Sequence, residues 1–415
     1  MSNPPLVPYD RSSAAEIDRR TFGRLAVAGL AGLAGLGAAT PAGAPALPGA
    51  RRRPQGGIFA RPLGATGLWV SELTLGGSPS APENVFLAAM DRGVNYCDTS
   101  PRYEKGNGER ALGRIVRGRR NRICIGTKIT PGRDGVHTTD DILKQVEGSL
   151  QRLGVEHIDV LCSHGVEREE QVLSPWIFEA IGRLRDAGKI RFFGASVHNT
   201  SPDFIRKMIE TGQYHVLMLP LNMYFDPKSA RPGMPGTDAL AQNLRLAAEK
   251  GVGILTMKTL AAGGLANVAA PAGVSPAQAK LRWVLQRPEI SGILNEMNTF
   301  EFLKDDLAAS TADLALSAAE SAWLAANADA GRHAVCRMCH TCEGGCPAAL
   351  PIPDLLRVRM YAVDYGRRDK ALELAGAIDA PGRLAQCRDC GRCEEACPWG
   401  VRTRRMLRDV GRVLG

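Results

Sequence analysis

The sequence predicts an α/β fold, a closed (β/α)8 barrel followed by a small, mainly helical domain. Three observations carry this expectation. Between Leu73 and Ala309, short β-branched runs alternate eight times with amphipathic stretches, which implies parallel strands joined by crossover helices. No G-x-G-x-x-G turn follows the first run, so the doubly wound open sheet lacks its signature. Past the eighth repeat the alternation stops, and eight cysteines appear in two identical blocks.

Strands are expected near Leu73–Leu75, Val94–Cys97, Ile123–Thr127, Ile158–Ser163, Ile190–Ala195, His215–Leu219, Gly253–Met257 and Ile290–Leu294. The helices that follow them are Glu83–Arg92, Gly108–Val116, Thr139–Leu153, Glu170–Ala187, Ser201–Glu210, Thr237–Lys250, Pro276–Gln286 and Phe300–Ala309. Eight such repeats fit a TIM barrel, whose working residues sit at the C-terminal ends of its strands. At 415 residues the chain exceeds the roughly 250 to 300 at which a single core stops growing. The expected organisation is a leader and linker over residues 1–53, the barrel over 54–310, a helical linker over 311–331 and the cysteine-bearing domain over 332–415.

Hydrophobic residues at 44% and charged residues at 23% are ordinary for a soluble globular chain, which excludes a disordered, collagenous or polytopic membrane protein. The net charge of +9 belongs to the ends: basic and acidic residues number 7 and 3 over residues 1–53, 30 and 30 over 54–331, and 15 and 10 over 332–415. A neutral middle offers no basic stripe, so no nucleic-acid partner is expected.

At the N-terminus, Asp18-Arg19-Arg20-Thr21-Phe22 precedes an apolar run from Leu25 to Ala39 and a small, proline-rich stretch from Pro41 to Pro48. That order is the layout of a bacterial signal peptide, and the paired arginines resemble the twin-arginine type. The apolar run of 15 residues is interrupted by Gly29, Gly32, Gly35 and Gly37 and is short for a membrane span. Export by the twin-arginine machinery to the periplasm is the expectation, with a membrane anchor as the alternative if the leader stays uncleaved. This route carries folded proteins, and so suits a chain that acquires a cofactor first.

Four polar residues fall at the ends of four consecutive predicted strands: Asp98 after the second, Lys128 at the third, His164 at the fourth and Ser196 after the fifth. Tyr103 lies in the loop beyond Asp98, where it could join them. Leu63-Gly-Ala-Thr-Gly67, Gly93-Val-Asn-Tyr-Cys-Asp98-Thr, Ser149-Leu-Gln-Arg-Leu-Gly154 and Gly188-Lys-Ile-Arg191-Phe-Phe-Gly194 stand in order along the same region. Together these stretches resemble the aldo/keto reductase family, over about Arg61 to Leu307. The resemblance implies an oxidoreductase that interconverts a carbonyl and an alcohol. It makes Tyr103 the general acid and base, with Lys128 and Asp98 setting its acidity and His164 orienting the substrate carbonyl.

The residue types make that chemistry intelligible. Hydride delivery to a carbonyl leaves an alkoxide that must be protonated, and a free tyrosine, with a pKa of about 10, is a slow donor and base at neutral pH. A lysine ammonium beside the phenol stabilises phenolate, and an aspartate holds that lysine charged and in place. Taken singly, each residue also has an ordinary structural reading, as a buried ion pair or a hydrogen-bonded histidine.

On the cofactor side the resemblance implies NAD(P)(H), with Gly76, Gly77 and Ser78 near it at the first strand and Ser196 and Asn222 as polar contacts. Family members that use NADP carry a Lys-Ser pair and an Arg after the eighth strand for the 2′-phosphate. This chain has Asn295-Glu296-Met297-Asn298-Thr299 there, with Phe302 near the Arg position. The aromatic that stacks on nicotinamide after the seventh strand is replaced by Thr256-Met257-Lys258. Acidic residues repel a phosphate, so no preference for NADP is expected.

Of 11 cysteines, Cys97, Cys124 and Cys162 fall in predicted strands and read as small buried hydrophobes. The rest form Cys336, Cys339, Cys342 and Cys346-Pro347, then Cys387, Cys390, Cys393 and Cys397-Pro398. This doubled C-x2-C-x2-C-x3-C-P run is the bacterial ferredoxin signature for 4Fe-4S clusters, with zinc or disulfides as alternatives. In two-cluster ferredoxins the Cys-Pro ligand of each run serves the other cluster. That implies Cys336, Cys339, Cys342 and Cys397 on one cluster and Cys387, Cys390, Cys393 and Cys346 on the second. Pro353–Tyr365 and Arg368–Ala377 read as helices between the blocks, so the module is a helical ferredoxin-like domain. Its basic excess, which includes Arg402, Arg404, Arg405 and Arg408, offsets cluster charge or docks an acidic redox partner.

The sequence therefore reads as an exported oxidoreductase acting on a small carbonyl or alcohol, with two 4Fe-4S clusters passing single electrons to or from a partner protein. The alternative is an iron-sulfur electron-transfer or binding protein on a retired barrel, which would have no need of Tyr103 and Lys128.

Overall fold

The computed structural model describes residues 47, 49, 51–76, 81–226, 238–260 and 268–415. Gly77, Ser78 and nearly all of the expected export leader lie outside them. A three-stranded antiparallel sheet comes first, made of β1 (Arg53–Gln55), β2 (Ile58–Pro62) and β3 (Trp69–Ser71). Its strands are too short for their alternation to register in the sequence. Leu63, Leu68 and Val70 of this segment pack against Tyr96, Val160, Val216 and Leu255 inside the barrel and plug its N-terminal end. Arg61 and Glu72, both 0% exposed, pair at 2.6 Å, and the Ser310 hydroxyl donates to Glu72 at 2.7 Å. This buried network ties the plug to the segment that leaves the barrel.

The barrel strands are β4 (Leu73–Leu75), β5 (Tyr96–Asp98), β6 (Cys124–Ile129), β7 (Ile158–Val166), β8 (Ile190–Val197), β9 (Val216–Pro220), β10 (Gly253–Met257) and β11 (Ile290–Asn295). All are parallel, and β11 pairs back onto β4 to close the barrel. The outer helices are α1 (Glu83–Asp91), α2 (Asn107–Val116), α3 (Thr139–Leu153), α4 (Pro175–Asp186), α5 (Pro202–Glu210), α6 (Ala239–Glu249), α7 (Pro276–Leu285) and α8 (Phe300–Leu307). A capping box of Thr138 with Asp141 starts α3, and Gly154 ends it at φ 64°, so its terminal backbone groups are satisfied. Helix α4 starts later than the periodicity suggests. Glu169–Gln171 forms a separate 3-10 turn, and Pro175 with its fixed φ begins the helix.

Period-two alternation divides each strand between two cores. Leu75, Cys97, Ile125, Leu161, Phe193 and Leu217 face outward beneath the helices, whereas Tyr96, Cys124, Cys162, Phe192, Met218 and Leu255 face inward. Two or four residues further along these inward columns stand Asp98, Lys128, His164, Ser196 and Met257. Apart from Met257, the side chains on which these inward columns end make the barrel mouth polar. Gly126 leaves room in one column, since a Cβ there would collide with the Tyr96 hydroxyl.

Beyond α9 (Ala318–Gly331) come α10 (Ile352–Arg359), α11 (Arg368–Ala377), α12 (Ala380–Ala385), α13 (Arg392–Glu395) and α14 (Thr403–Leu414). Leu355, Leu356, Leu407 and Val410 join α10 to α14 in a second core. The helix expected over Pro353–Tyr365 is continuous from Ile352 to Asp364, and its last stretch, Met360–Asp364, widens into a π turn. Tyr365 N–H bonds the Met360 carbonyl at 3.0 Å, and Arg359 clasps both Asp364 oxygens at 2.9 Å across the widened turn. Among the described residues no helix is long and apolar enough to cross a membrane.

Candidate active site and cluster cavities

At the mouth, Lys128 is the hub. Its ammonium donates to the Asp98 carboxylate, to the Thr99 carbonyl at 2.7 Å and to the Tyr103 hydroxyl at 3.5 Å, which accounts for all three of its N–H bonds. Burial opposes the lysine charge, but Asp98 and Tyr103 outweigh it and hold Lys128 above the ordinary lysine range. Burial likewise raises the Tyr103 phenol above its ordinary value, and Lys128 offsets this only in part. The acidification of Tyr103 expected from the sequence is therefore outweighed here by desolvation.

His164 meets the Tyr103 ring edge-on, with centroids 5.6 Å apart and planes at 88°. Ser100 Oγ accepts the Arg102 N–H at 3.2 Å and shares a hydrogen bond with His164 Nδ1 at 3.0 Å, whose direction follows the imidazole tautomer. In the tautomer in which Ser100 donates, Nε2 carries the ring proton. Burial, with Lys128 and Arg133 next, keeps the imidazole neutral, well below its ordinary pKa. Thr99 and Ser100 were not singled out from the sequence, although their position directly after Asp98 at a strand end is the signal that could have found them.

The cysteine-bearing domain lies against this face of the barrel. Arg357 of α10 ion-pairs with Glu167, which follows β7, and donates to Nδ1 of His198, which follows β8, at 3.3 Å. Arg102 bonds Glu373 of α11 at 3.0 Å, and Thr200 N–H donates to the Met338 carbonyl at 2.9 Å. Tyr361 is close enough to Tyr103 to influence its ionisation. Although burial opposes it, His198 and Arg357 hold Glu167 far below the usual carboxylate range. Burial, then Lys258, brings His198 down to about 3. Glu167 and His198 could have been flagged by the strand-end rule; nothing in the sequence pointed to Arg357.

The residues expected to contact a nucleotide are differently engaged. Gly76 N–H bonds the Asn295 carbonyl at 2.9 Å, and a Cβ on Gly76 would lie 2.8 Å from Leu294 Cβ, so its close approach is to the neighbouring strand. Ser196 Oγ has only a weak contact, 4.0 Å to Met257 Sδ, and remains open to a ligand. Asn222 is used internally: it accepts from Tyr224 N–H and donates to the Lys258 carbonyl, both at 3.1 Å. After β11, Asn295 donates to Asp306 at 2.6 Å, Phe302 is 53% exposed, and Glu296 is near Tyr365 and Arg367 of the following domain. Of these expected contacts, Ser196 has a hydroxyl left to meet a nicotinamide, and none offers a cation to a 2′-phosphate.

The eight remaining cysteines form two groups. Cys336, Cys339, Cys342 and Cys397 line one cavity, and Cys346, Cys387, Cys390 and Cys393 line another. Each Cys-Pro sulfur thus joins the three cysteines of the other run. Met338 N–H points to Cys336 Sγ and Val401 N–H to Cys397 Sγ, each at 3.4 Å. Burial and the neighbouring Cys339 push the Cys336 thiol up to about 12, so ionising such a set requires a cationic centre among the sulfurs. Soft thiolates in an apolar setting with backbone donors fit an iron-sulfur cluster. Cys97 and Cys162 are buried in the barrel with thiols raised by desolvation.

Comparison with known proteins follows the same division. The family model described as the Aldo/keto reductase family matches residues 74–324, and that of a 4Fe-4S dicluster domain matches residues 335–401. An uncharacterized oxidoreductase of Bacillus subtilis, YqkF, is 28% identical over 176 residues, covering 40% of this chain and 56% of its own length. L-galactose dehydrogenase of Arabidopsis thaliana is 31% identical over 153 residues, covering 33% of this chain and 48% of its own. The chain therefore spans about half the length of these two relatives. A solved aldo-keto reductase of Bacillus halodurans superposes with a TM-score of 0.53 at 23% identity, over 66% of this chain and 97% of that one, a likeness of fold.

Proposed function

Because the chain belongs to the aldo/keto reductase family and carries a 4Fe-4S dicluster domain, we propose that it interconverts a small carbonyl compound and its alcohol at the barrel mouth and relays single electrons through two clusters held beside that mouth. The observation that carries this reading is the buried line from Asp98 through Lys128 to Tyr103, with a neutral His164 against the phenol.

In the reducing direction, the Tyr103 hydroxyl gives its proton to the carbonyl oxygen as hydride reaches the carbon. The phenolate left behind faces the Lys128 ammonium, which Asp98 and the Thr99 carbonyl hold in place. His164 Nε2–H donates to the same substrate oxygen and fixes its direction. In oxidation the proton returns to Tyr103, which must first be phenolate, and burial makes that form scarce at neutral pH. A nicotinamide beside Ser196 would supply or take the hydride.

Cys336, Cys339, Cys342 and Cys397 would hold the cluster nearer the barrel, and Cys346, Cys387, Cys390 and Cys393 the further one. A cluster passes one electron and a hydride carries two, so coupling the clusters to hydride transfer requires a redox carrier able to split the electron pair, such as a flavin. Cys390 is exposed, which suits exchange with a redox partner protein at the further cluster. The Arg19-Arg20 leader suits export of the folded, cluster-bearing chain to the periplasm. Fractionation of cells expressing the Arg19→Lys, Arg20→Lys double variant tests the export: retention in the cytoplasm supports it, and unchanged distribution removes it.

The enzymatic reading is tested by turnover of a panel of aldehydes, ketones and alcohols, with chemically reduced or oxidised clusters or with added nucleotide as redox partner. Turnover by the wild type that collapses in Tyr103→Phe supports it. Equal turnover by both proteins would move the chemistry away from the mouth.

A further inference from the structure

Arg337 is a buried arginine, 1% exposed, whose charge is answered by no carboxylate among the described residues. Its Nε donates to the Tyr224 carbonyl at 2.9 Å, and its Nη1 donates to the carbonyls of Arg332 at 2.8 Å and Val335 at 2.6 Å. The guanidinium lies over Trp399, 4.8 Å from the ring centroid. Its Nη2 is buried and has no partner. Carbonyls and a ring orient a guanidinium but do not neutralise it, and an uncompensated buried cation is costly. The environment calls for an anion.

That anion has an evident place. Arg337 lines the same cavity as Cys336, Cys339, Cys342 and Cys397. A cluster with four thiolate ligands is net negative and gains a further charge on reduction. Reduction potential depends on net charge nearby, hydrogen bonds to sulfur and solvent exposure, and a charge acts more strongly in a low-dielectric interior. The other cavity differs: of the two arginines on its lining, Arg404 is already paired with Asp389 at 2.8 and 2.9 Å and Arg388 is exposed to solvent, so neither is a buried, unanswered cation.

Resting on the cluster reading above, we propose that Arg337 is the counter-ion of the cluster nearer the barrel and holds its reduction potential up. Burial alone disfavours adding an electron to an anionic cluster, and the fixed guanidinium opposes that penalty with two free N–H groups. The barrel helps to place it, through the Tyr224 carbonyl and through Thr200, whose hydroxyl and N–H bond the carbonyls of Arg337 and Met338.

The test is a redox titration of the cluster-loaded full chain followed by electron paramagnetic resonance, with iron and sulfide assayed on the same samples. The two couples are assigned by Cys390→Ala, which removes the signal of the further cluster. In Arg337→Gln the nearer couple should become at least tenfold harder to reduce, about 59 mV for a one-electron couple, while the further couple stays put. Arg337→Lys, which keeps the charge, should fall between wild type and Arg337→Gln. An unmoved nearer couple in Arg337→Gln at full iron content overturns the proposal. If Arg337→Gln fails to hold iron, Arg337→Lys decides: a nearer couple within tenfold of wild type supports the assignment, and loss of that cluster from Arg337→Lys as well overturns it. Wild-type protein without iron would instead defeat the underlying cluster reading.

Discussion

Arg357 of the dicluster domain is ion-paired with Glu167 at the end of the fourth barrel strand, with side chains 6% and 16% exposed. The pair joins the two halves of the molecule at the mouth. Arg357 also pairs with Asp354 at 3.2 Å, so losing Glu167 leaves the arginine one carboxylate, whereas losing Arg357 strands both carboxylates, at about 3 kcal/mol or more. Arg357→Met should destabilise the cluster-loaded protein by about that amount and Glu167→Gln by less, and the double variant should lose clearly less than their sum. Additive losses in chemical denaturation would mean that the two groups do not act as a pair.

Beside them, His198 gives stability a dependence on pH. Its folded value of about 3 is below the ordinary 6.5, so on acidification the unfolded chain takes up the proton first. Stability should fall as pH drops from about 6.5 towards 3, and Glu167, depressed below its ordinary 4.5, adds to the loss at the acid end. His198→Asn should flatten the fall above pH 4.5 and leave the steeper acid limb. Parallel denaturation midpoints across that range in both proteins would count against this assignment.

Replacing Tyr103 with Phe keeps the ring and removes the proton, so carbonyl reduction should drop about 100- to 10,000-fold. In wild type, alcohol oxidation should rise with pH, because the phenol is held above its ordinary value and the reaction needs phenolate. Lys128→Met removes what offsets burial, and should move that rise to still higher pH. Steady-state rates against pH check both, and a rise that stays in place in Lys128→Met would separate the lysine from the phenol.

The barrel was legible because its alternation repeats eight times, and the polar mouth was legible because inward columns end at predictable positions such as Lys128 and His164. The plug sheet, the 3-10 turn before Pro175 and the π turn at Met360 were not, since each depends on contacts made in the assembled fold. The same holds for Arg357 and Arg337. Charged residues in a helix or beside a cysteine look like a solvated surface until their burial is known. Asn222 shows what position alone leaves out: it is a polar residue at a strand end whose amide already bonds Tyr224 and Lys258.

The grouping of Cys346 with Cys387, Cys390 and Cys393 fixes which cluster each substitution should damage. About eight iron and eight sulfide per chain are expected for two clusters. Cys346→Ala should disturb the cluster further from the barrel, whereas Cys397→Ala should disturb the one beside Arg337. Spectra in which Cys346→Ala spares the further cluster would show that ligands do not cross between the runs.

The last prediction concerns nucleotide. Glu296 follows the eighth strand close to Tyr365 and Arg367 of the dicluster domain, and the residue near the family's phosphate-binding Arg is the half-exposed Phe302. A 2′-phosphate would meet a carboxylate where it needs a cation, while the groups that NADH shares with NADPH are unaffected by this difference. Calorimetric titration of nucleotide-free protein should therefore find NADPH bound no more tightly than NADH. Substituting Glu296→Lys should strengthen NADPH selectively, because a like charge becomes an opposite one beside the phosphate. Raising salt should then narrow the difference between the two nucleotides. Tight, selective NADPH binding by the wild type would place the phosphate on some other cation of the mouth and remove Glu296 from the argument.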